Sequence, residues 1–163
     1  MINLEEIKLD SKYGGVRPIS HSDINLLLSD LIDEDKKSAE INGYSSHIEM
    51  IAATIMRSEA GYSIVDPDGL FCSAFGVVKL DPDNHQGMLW MLSCNNFKKH
   101  YNNLALSKTL LDFSNIVLDQ MSKTFDELLC LVEKSNSAAK RRTILMGFKK
   151  NRSLPHADEY IRK

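Results

Sequence analysis

Two apolar runs without helical spacing, Leu70 to Leu80 and Met88 to Cys94, lie between segments whose apolar residues recur every three or four positions. Each run is entered through a turn, Asp66-Pro67-Asp68-Gly69 before the first and Asp81-Pro82-Asp83-Asn84 before the second, and Tyr62 to Val65 supplies an earlier strand. Pro presets one turn dihedral, and Gly or Asn tolerates the left-handed one, so these strands must pair as neighbours. A chain that holds a three-strand antiparallel meander among amphipathic helices is neither all-helical nor all-strand. Its class is mixed α/β (α+β), a sheet covered by helices.

The helices are legible on either side of the meander. Ser20-His-Ser-Asp23 matches a capping box, so a helix starts near Ser22 and carries Ile24, Leu27, Leu28 and Leu31 on one face. The acidic run Asp33-Glu34-Asp35 is expected to close it in solvent. Ser45 or Ser46 caps a second helix striped by Ile48, Ile51, Ala52, Ile55 and Met56. Leu106, Leu110, Phe113, Val117 and Met121 define the longest helix. Tyr13 to Ile19 and Leu128 to Val132 read as further strands, Asn136 opens a last helix, and Gly147 ends it before Phe148 re-enters the sheet.

With 163 residues the chain fits one well-filled core, so residues 1–163 are read as a single domain with an N-terminal arm (1–12) and a C-terminal tail (152–163), frayed or docked. No stretch approaches the roughly 18 uninterrupted apolar residues of a membrane span, and the first ten residues lack a basic start followed by an apolar block, so an intracellular or virion setting is expected. A net charge of −2 does not favour nucleic acid as a partner. The segment from Lys134 to Arg152 is basic and acid-free, either as a solvated helix face or as a contact for phosphates or an acidic protein surface. Cys72, Cys94 and Cys130 stand singly among apolar neighbours, as buried thiols do. No pair of the dispersed histidines or cysteines has a metal-ligand spacing, so no metal site is expected.

The stretch Leu129-Cys-Leu-Val-Glu-Lys-Ser-Asn136-Ser-Ala-Ala-Lys140-Arg-Arg-Thr143-Ile-Leu-Met-Gly147-Phe148 resembles the strand, Asn, helix and Gly-Phe sequence of the GNAT family of acetyl-CoA-dependent N-acyltransferases. Val16-Arg17-Pro18-Ile19 followed by Asp23 resembles that family's opening strand and helix. A narrower likeness, Gln86 to Phe148, is to GNAT-like phage proteins, including the short internal virion proteins of short-tailed phages. The resemblance implies a mixed central sheet of about six strands flanked by about four helices. It also implies two central parallel strands, Met88 to Cys94 and Leu128 to Val132, splayed to admit pantetheine. Leu92, Ser93 and Cys94 would then line the pantetheine arm, unless side chains such as Trp90 and Met91 fill the gap.

The same resemblance locates several departures. The family's pyrophosphate turn is basic and glycine-rich, placing bare amides at a helix N-terminus. Here Asn95 to Asn103 has no glycine, and Lys98, Lys99, His100 and Asn102 are what remains to meet phosphate. The position of the family's tyrosine acid is Thr143, a poor proton donor. The strand Met88 to Cys94 carries no carboxylate, and His85, the nearest titratable group, reads better as a loop histidine than as a base. Asn136 has two equal readings, a pantetheine contact or a helix cap, whereas Arg141 and Arg142 read first as solubilising. No catalytic residue is therefore assigned. The expectation is a GNAT-fold, virion-associated phage protein with a protein partner, a degenerate acetyl-CoA site and little or no catalysis. The alternative is an active acetyl-CoA-dependent N-acetyltransferase acting on an amine of a host protein, small molecule or nucleobase.

Overall fold

The computed structural model describes residues 9–81, 83, 85–100 and 102–163. The first part of the expected N-terminal arm, two positions of the Asp81–Asn84 turn, and Tyr101 of the loop before the long helix lie outside them. In chain order the elements are β1 (Leu9–Ser11), β2 (Gly14–Pro18), α1 (His21–Asp30), α2 (Asp33–Ile41), α3 (His47–Arg57), β3 (Ser58–Val65), β4 (Phe71–Asp81) and β5 (Gln86–Ser93). There follow α4 (Asn95–Lys98), α5 (Leu104–Met121), β6 (Glu127–Glu133), α6 (Ser137–Leu145), β7 (Lys149–Ser153) and β8 (Ala157–Arg162). Among the described residues the strands form one eight-stranded sheet in the order β1-β2-β3-β4-β5-β6-β8-β7. Pairing is antiparallel except for β5 and β6, which run parallel and are joined by a crossover through α5.

The expected meander is β3, β4 and β5. Asp66 holds its turn, with Oδ1 accepting the backbone N–H groups of Asp68 and Leu70, each at 2.9 Å, and Gly69 takes the left-handed φ of 78°. The capping box at Ser20 and Asp23 is present, and Asn103 and Asn136 cap α5 and α6. Gly147, at φ 84°, turns the chain out of α6 and leaves Phe148 buried.

Two parts differ from expectation, and the tail takes the docked of its two expected states. Asp33, Glu34 and Asp35 do not close α1; they form the first turn of α2, where the helix dipole favours acids. The loop after β5 contains the short helix α4. The tail is docked, because β8 lies inside the sheet between β6 and β7. Its buried Asp158 and Glu159 are matched by the basic segment: Lys140 and Lys150 each reach Asp158 at 3.0 Å, and Arg152 reaches Glu159 at 2.9 Å. Those cations counter acids of the same chain.

Among the described residues the core has two clusters. In one, Leu27, Leu31, Ala39, Met50 and Ile51 bring α1, α2 and α3 onto Ala74 and Leu92. In the other, Val117, Leu118 and Met121 of α5 pack with Val16, Tyr62, Val77, Leu128 and Phe148. Burying one such side chain contributes roughly 1.5–3 kcal/mol, so α5 is fixed against the sheet on the crossover side. That fixes where β5 and β6 meet.

Candidate active site

β5 and β6 begin as a regular parallel pair, Gln86↔Glu127 through Leu89↔Cys130, and the ladder stops there. Both strands continue: β5 pairs with β4 as far as Ser73↔Ser93, and β6 with β8 as far as Glu133↔Ala157. The two central strands therefore part after Leu89 and Cys130. Backbone groups alternate along a strand, and Cys94 N–H goes to the Cys72 carbonyl of β4 at 3.0 Å. Leu92 and Cys94 thus turn their amides to β4, while Met91 and Ser93, beyond the last ladder pair with β6, turn theirs away from β4. Met91 lies beyond the last ladder pair, and its side chain is exposed.

Ser93 is met from another direction. The segment joining α1 and α2 runs along the end of β5, with Leu31 bridging Cys94 and Ile32 N–H donating to the Ser93 carbonyl at 3.0 Å. Asp35, in the first turn of α2, accepts the Ser93 N–H on Oδ2 at 2.8 Å. The Ser93 hydroxyl is bonded to that of Ser73 at 2.8 Å. Burial pushes the Asp35 carboxyl up to about 6, helped by the neighbouring charge of Glu34 and opposed by the Ser93 N–H and by Arg142 and Lys98. A half-buried carboxylate at the open end of a parted strand pair can accept a proton near neutral pH.

Of the basic residues expected near phosphate, Lys98 and His100 have partners of their own. Lys98 is paired with Glu34 at 3.2 Å, and Arg142 lies over the Phe97 ring at 5.5 Å from its centroid. Lys99 and Asn102 are exposed. His100 Nε2 lies 3.2 Å from Oδ2 of the buried Asp66. The α5 N-terminus, capped by Asn103 Oδ1 on Leu106 N–H at 3.0 Å, is exposed at Leu104.

Asn136 spends its side-chain oxygen on Ala139 N–H at 3.0 Å. Thr143 is buried, and its hydroxyl donates to the Ala139 carbonyl of its own helix at 2.9 Å. The Cys130 thiol beside it is pushed up by burial to about 11. His85 stands in the turn before β5, with φ 48°. The structure thus brings Ser93, Asp35, Glu34, Lys98 and Arg142 to one place. Asp35 carried no sequence signal beyond its acidic run, which reads as solvated. Met91 could have been found from the alternation of β5 against β4.

No family model matches the chain, and no curated protein matches it. Among solved structures it is similar to the GNAT domain of PAT from S. lividans, at 14% identity and a TM-score of 0.69, covering 95% of this chain and 96% of that one. It is also similar to an acetyltransferase from Agrobacterium tumefaciens str. C58, at 13% identity and TM-score 0.66, covering 96% and 94%. A third is the ribosomal-protein-S5-alanine acetyltransferase from Vibrio fischeri, at 11% identity and TM-score 0.61, covering 96% and 94%. At these identities the likeness speaks to fold. Together with the strand order and the parting of β5 from β6, it gives the chain the GNAT fold.

Proposed function

We propose that the chain binds an acyl-CoA thioester, acetyl-CoA in the simplest case, in the opening between β5 and β6 and transfers the acyl group to an amine. The supporting observation is the Asp35 carboxylate held at Ser93 N–H where the two strands part. The gap-facing backbone of Met91 offers a strand edge for the pantetheine amides. The exposed N-terminus of α5, with Lys99 and Asn102 beside it, faces the phosphates. Asp35 is the general base: it leaves Ser93 and takes a proton from the amine as the nitrogen bonds to the acyl carbon. The carbon–sulfur bond then breaks, and the thiolate is protonated by water, since the Thr143 hydroxyl is committed to Ala139. Ser93 N–H, released by Asp35, is left to the thioester oxygen.

The acceptor is an amine of a protein, small molecule or nucleobase. The test is thiol release from acetyl-CoA across a panel of such amines. Turnover by the native chain and a fall of about 10²- to 10⁴-fold in Asp35→Asn support the base. Equal rates in the two proteins contradict it.

A second reading is a non-catalytic, virion-associated role with a protein partner. It is favoured by the engagement of both Ser93 backbone groups and by the glycine-free approach to α5. The phage assignment within it rests on the likeness of Gln86 to Phe148 alone. Absence of acetyl-CoA binding, with retention of the chain in purified particles, supports it.

A further inference from the structure

Three side chains outside the proposed acyl-transfer machinery converge beside the meander turn. Asp66 closes β3, Cys72 lies on β4, and His100 follows α4, and their ligand atoms all fall within 4.8 Å of one another. Asp66 and Cys72 are buried, whereas the His100 side chain is 20% exposed and opens the cluster to solvent.

We propose that these three residues form a zinc site. Zinc bonds to oxygen and nitrogen at about 2.0 Å and to sulfur at about 2.3 Å, so tetrahedral ligand atoms stand roughly 3.3–3.7 Å apart. The observed 3.2 Å between Asp66 Oδ2 and His100 Nε2 is close to that spacing. The Asp66 carboxylate is held in a ligating orientation, because the N–H groups of Asp68 and Leu70 fix Oδ1 and so aim Oδ2 at His100. Asn96 spans the cluster, donating to Asp66 Oδ2 at 3.1 Å and to Cys72 Sγ at 3.4 Å, and it must swing aside or share those atoms. Mixed sulfur, nitrogen and oxygen donors suit zinc and disfavour magnesium or calcium. Binding displaces the proton of the Cys72 thiol. A water on the His100 side takes the fourth position. The metal ties the meander turn to the segment leading into α5.

The experiment uses the full chain stripped with a chelator and titrated with Co²⁺ as a coloured substitute, then with Zn²⁺ in competition with a chromophoric chelator. The expected result is one metal per chain and a near-ultraviolet sulfur-to-cobalt band, displaced by Zn²⁺. Loss of a residue that merely supports a ligand costs about 10- to 100-fold in affinity, so Cys72→Ser and His100→Ala should each lose at least about 100-fold. Cys72→Ser should also lose the band. Cys130→Ser and His156→Ala should bind as the native chain does. Should Cys72→Ser fail to fold, His100→Ala at its partly exposed position decides. No stoichiometric binding, or binding that survives His100→Ala, overturns the proposal.

Discussion

Asp35 Oδ2 accepts the backbone N–H of Ser93 at 2.8 Å, across 58 positions of sequence. This bond joins the first turn of α2 to the last residue of β5, where the central strands have already separated. It places a carboxylate at the parted end of the central strands, where the acyl transfer is proposed.

Ionising Asp35 opposes folding. Its carboxyl sits at about 6 in the fold because of burial, against about 3.9 in an unfolded chain. The folded state therefore binds more protons between these values, and stability falls as pH rises from about 4 to about 6. Asp35→Asn should raise stability by about 1–2 kcal/mol at pH 7, after allowance for partial exposure, and by little below pH 4. Denaturant melts at both pH values check this. Acyl transfer by the native chain should rise with pH through about 6.

Asp23 carries the opposite sign. Burial raises its carboxyl, but Arg17, Ser63 and Ser20 outweigh burial and hold it at about 2. Arg17 Nη1 reaches Oδ2 at 2.6 Å and Nη2 reaches Oδ1 at 2.9 Å, while Ser63 donates to Oδ2 at 2.7 Å. The stabilisation, about 2 kcal/mol, is complete above about pH 4 and lost as pH falls through about 2. Asp23→Ala should cost about 3 kcal/mol at pH 7, because Arg17 and Ser63 lose their shared partner. A pH-independent difference between the two proteins would contradict this.

Most of the frame was legible because its signals are local. The loss of helical spacing beyond Ser58, the Asp-Pro-Asp-Gly turn and the Ser20–Asp23 box each act within a few residues. β8 was not legible as a sheet strand. Ala157-Asp158-Glu159-Tyr160 reads as a polar tail until Lys140, Lys150 and Arg152 cover its acids. Asp35 was hidden for a related reason: within Asp33-Glu34-Asp35 nothing local distinguishes the residue that meets Ser93. Asp66 and His100, 34 positions apart, meet only because the meander and α4 fold together.

Gly76 tests how tightly the meander is packed. A Cβ there would collide with the Ala60 carbonyl oxygen and stand 2.6 Å from Trp90 Cζ2. The indole is pinned by its own N–H, which donates to Ser58 Oγ at 2.8 Å. Gly76→Ala should therefore cost about 1–3 kcal/mol and shift the emission of the single tryptophan. Unchanged stability and emission would contradict this packing.

Thr143 lies four residues before Gly147, and its hydroxyl is turned into its own helix, donating to the Ala139 carbonyl. Thr143→Val keeps the side chain's shape and removes one back-bond worth about 1 kcal/mol or less. The rate of thiol release and its pH profile should be unchanged. A marked loss of rate with binding intact would return Thr143 to the chemistry.

The most direct measurement is a calorimetric titration of the purified chain with acetyl-CoA. Binding at roughly micromolar concentration, weakened when Met91→Pro removes the gap-facing N–H of β5, is the expected result. No heat at millimolar ligand would contradict an open acyl-CoA site between β5 and β6.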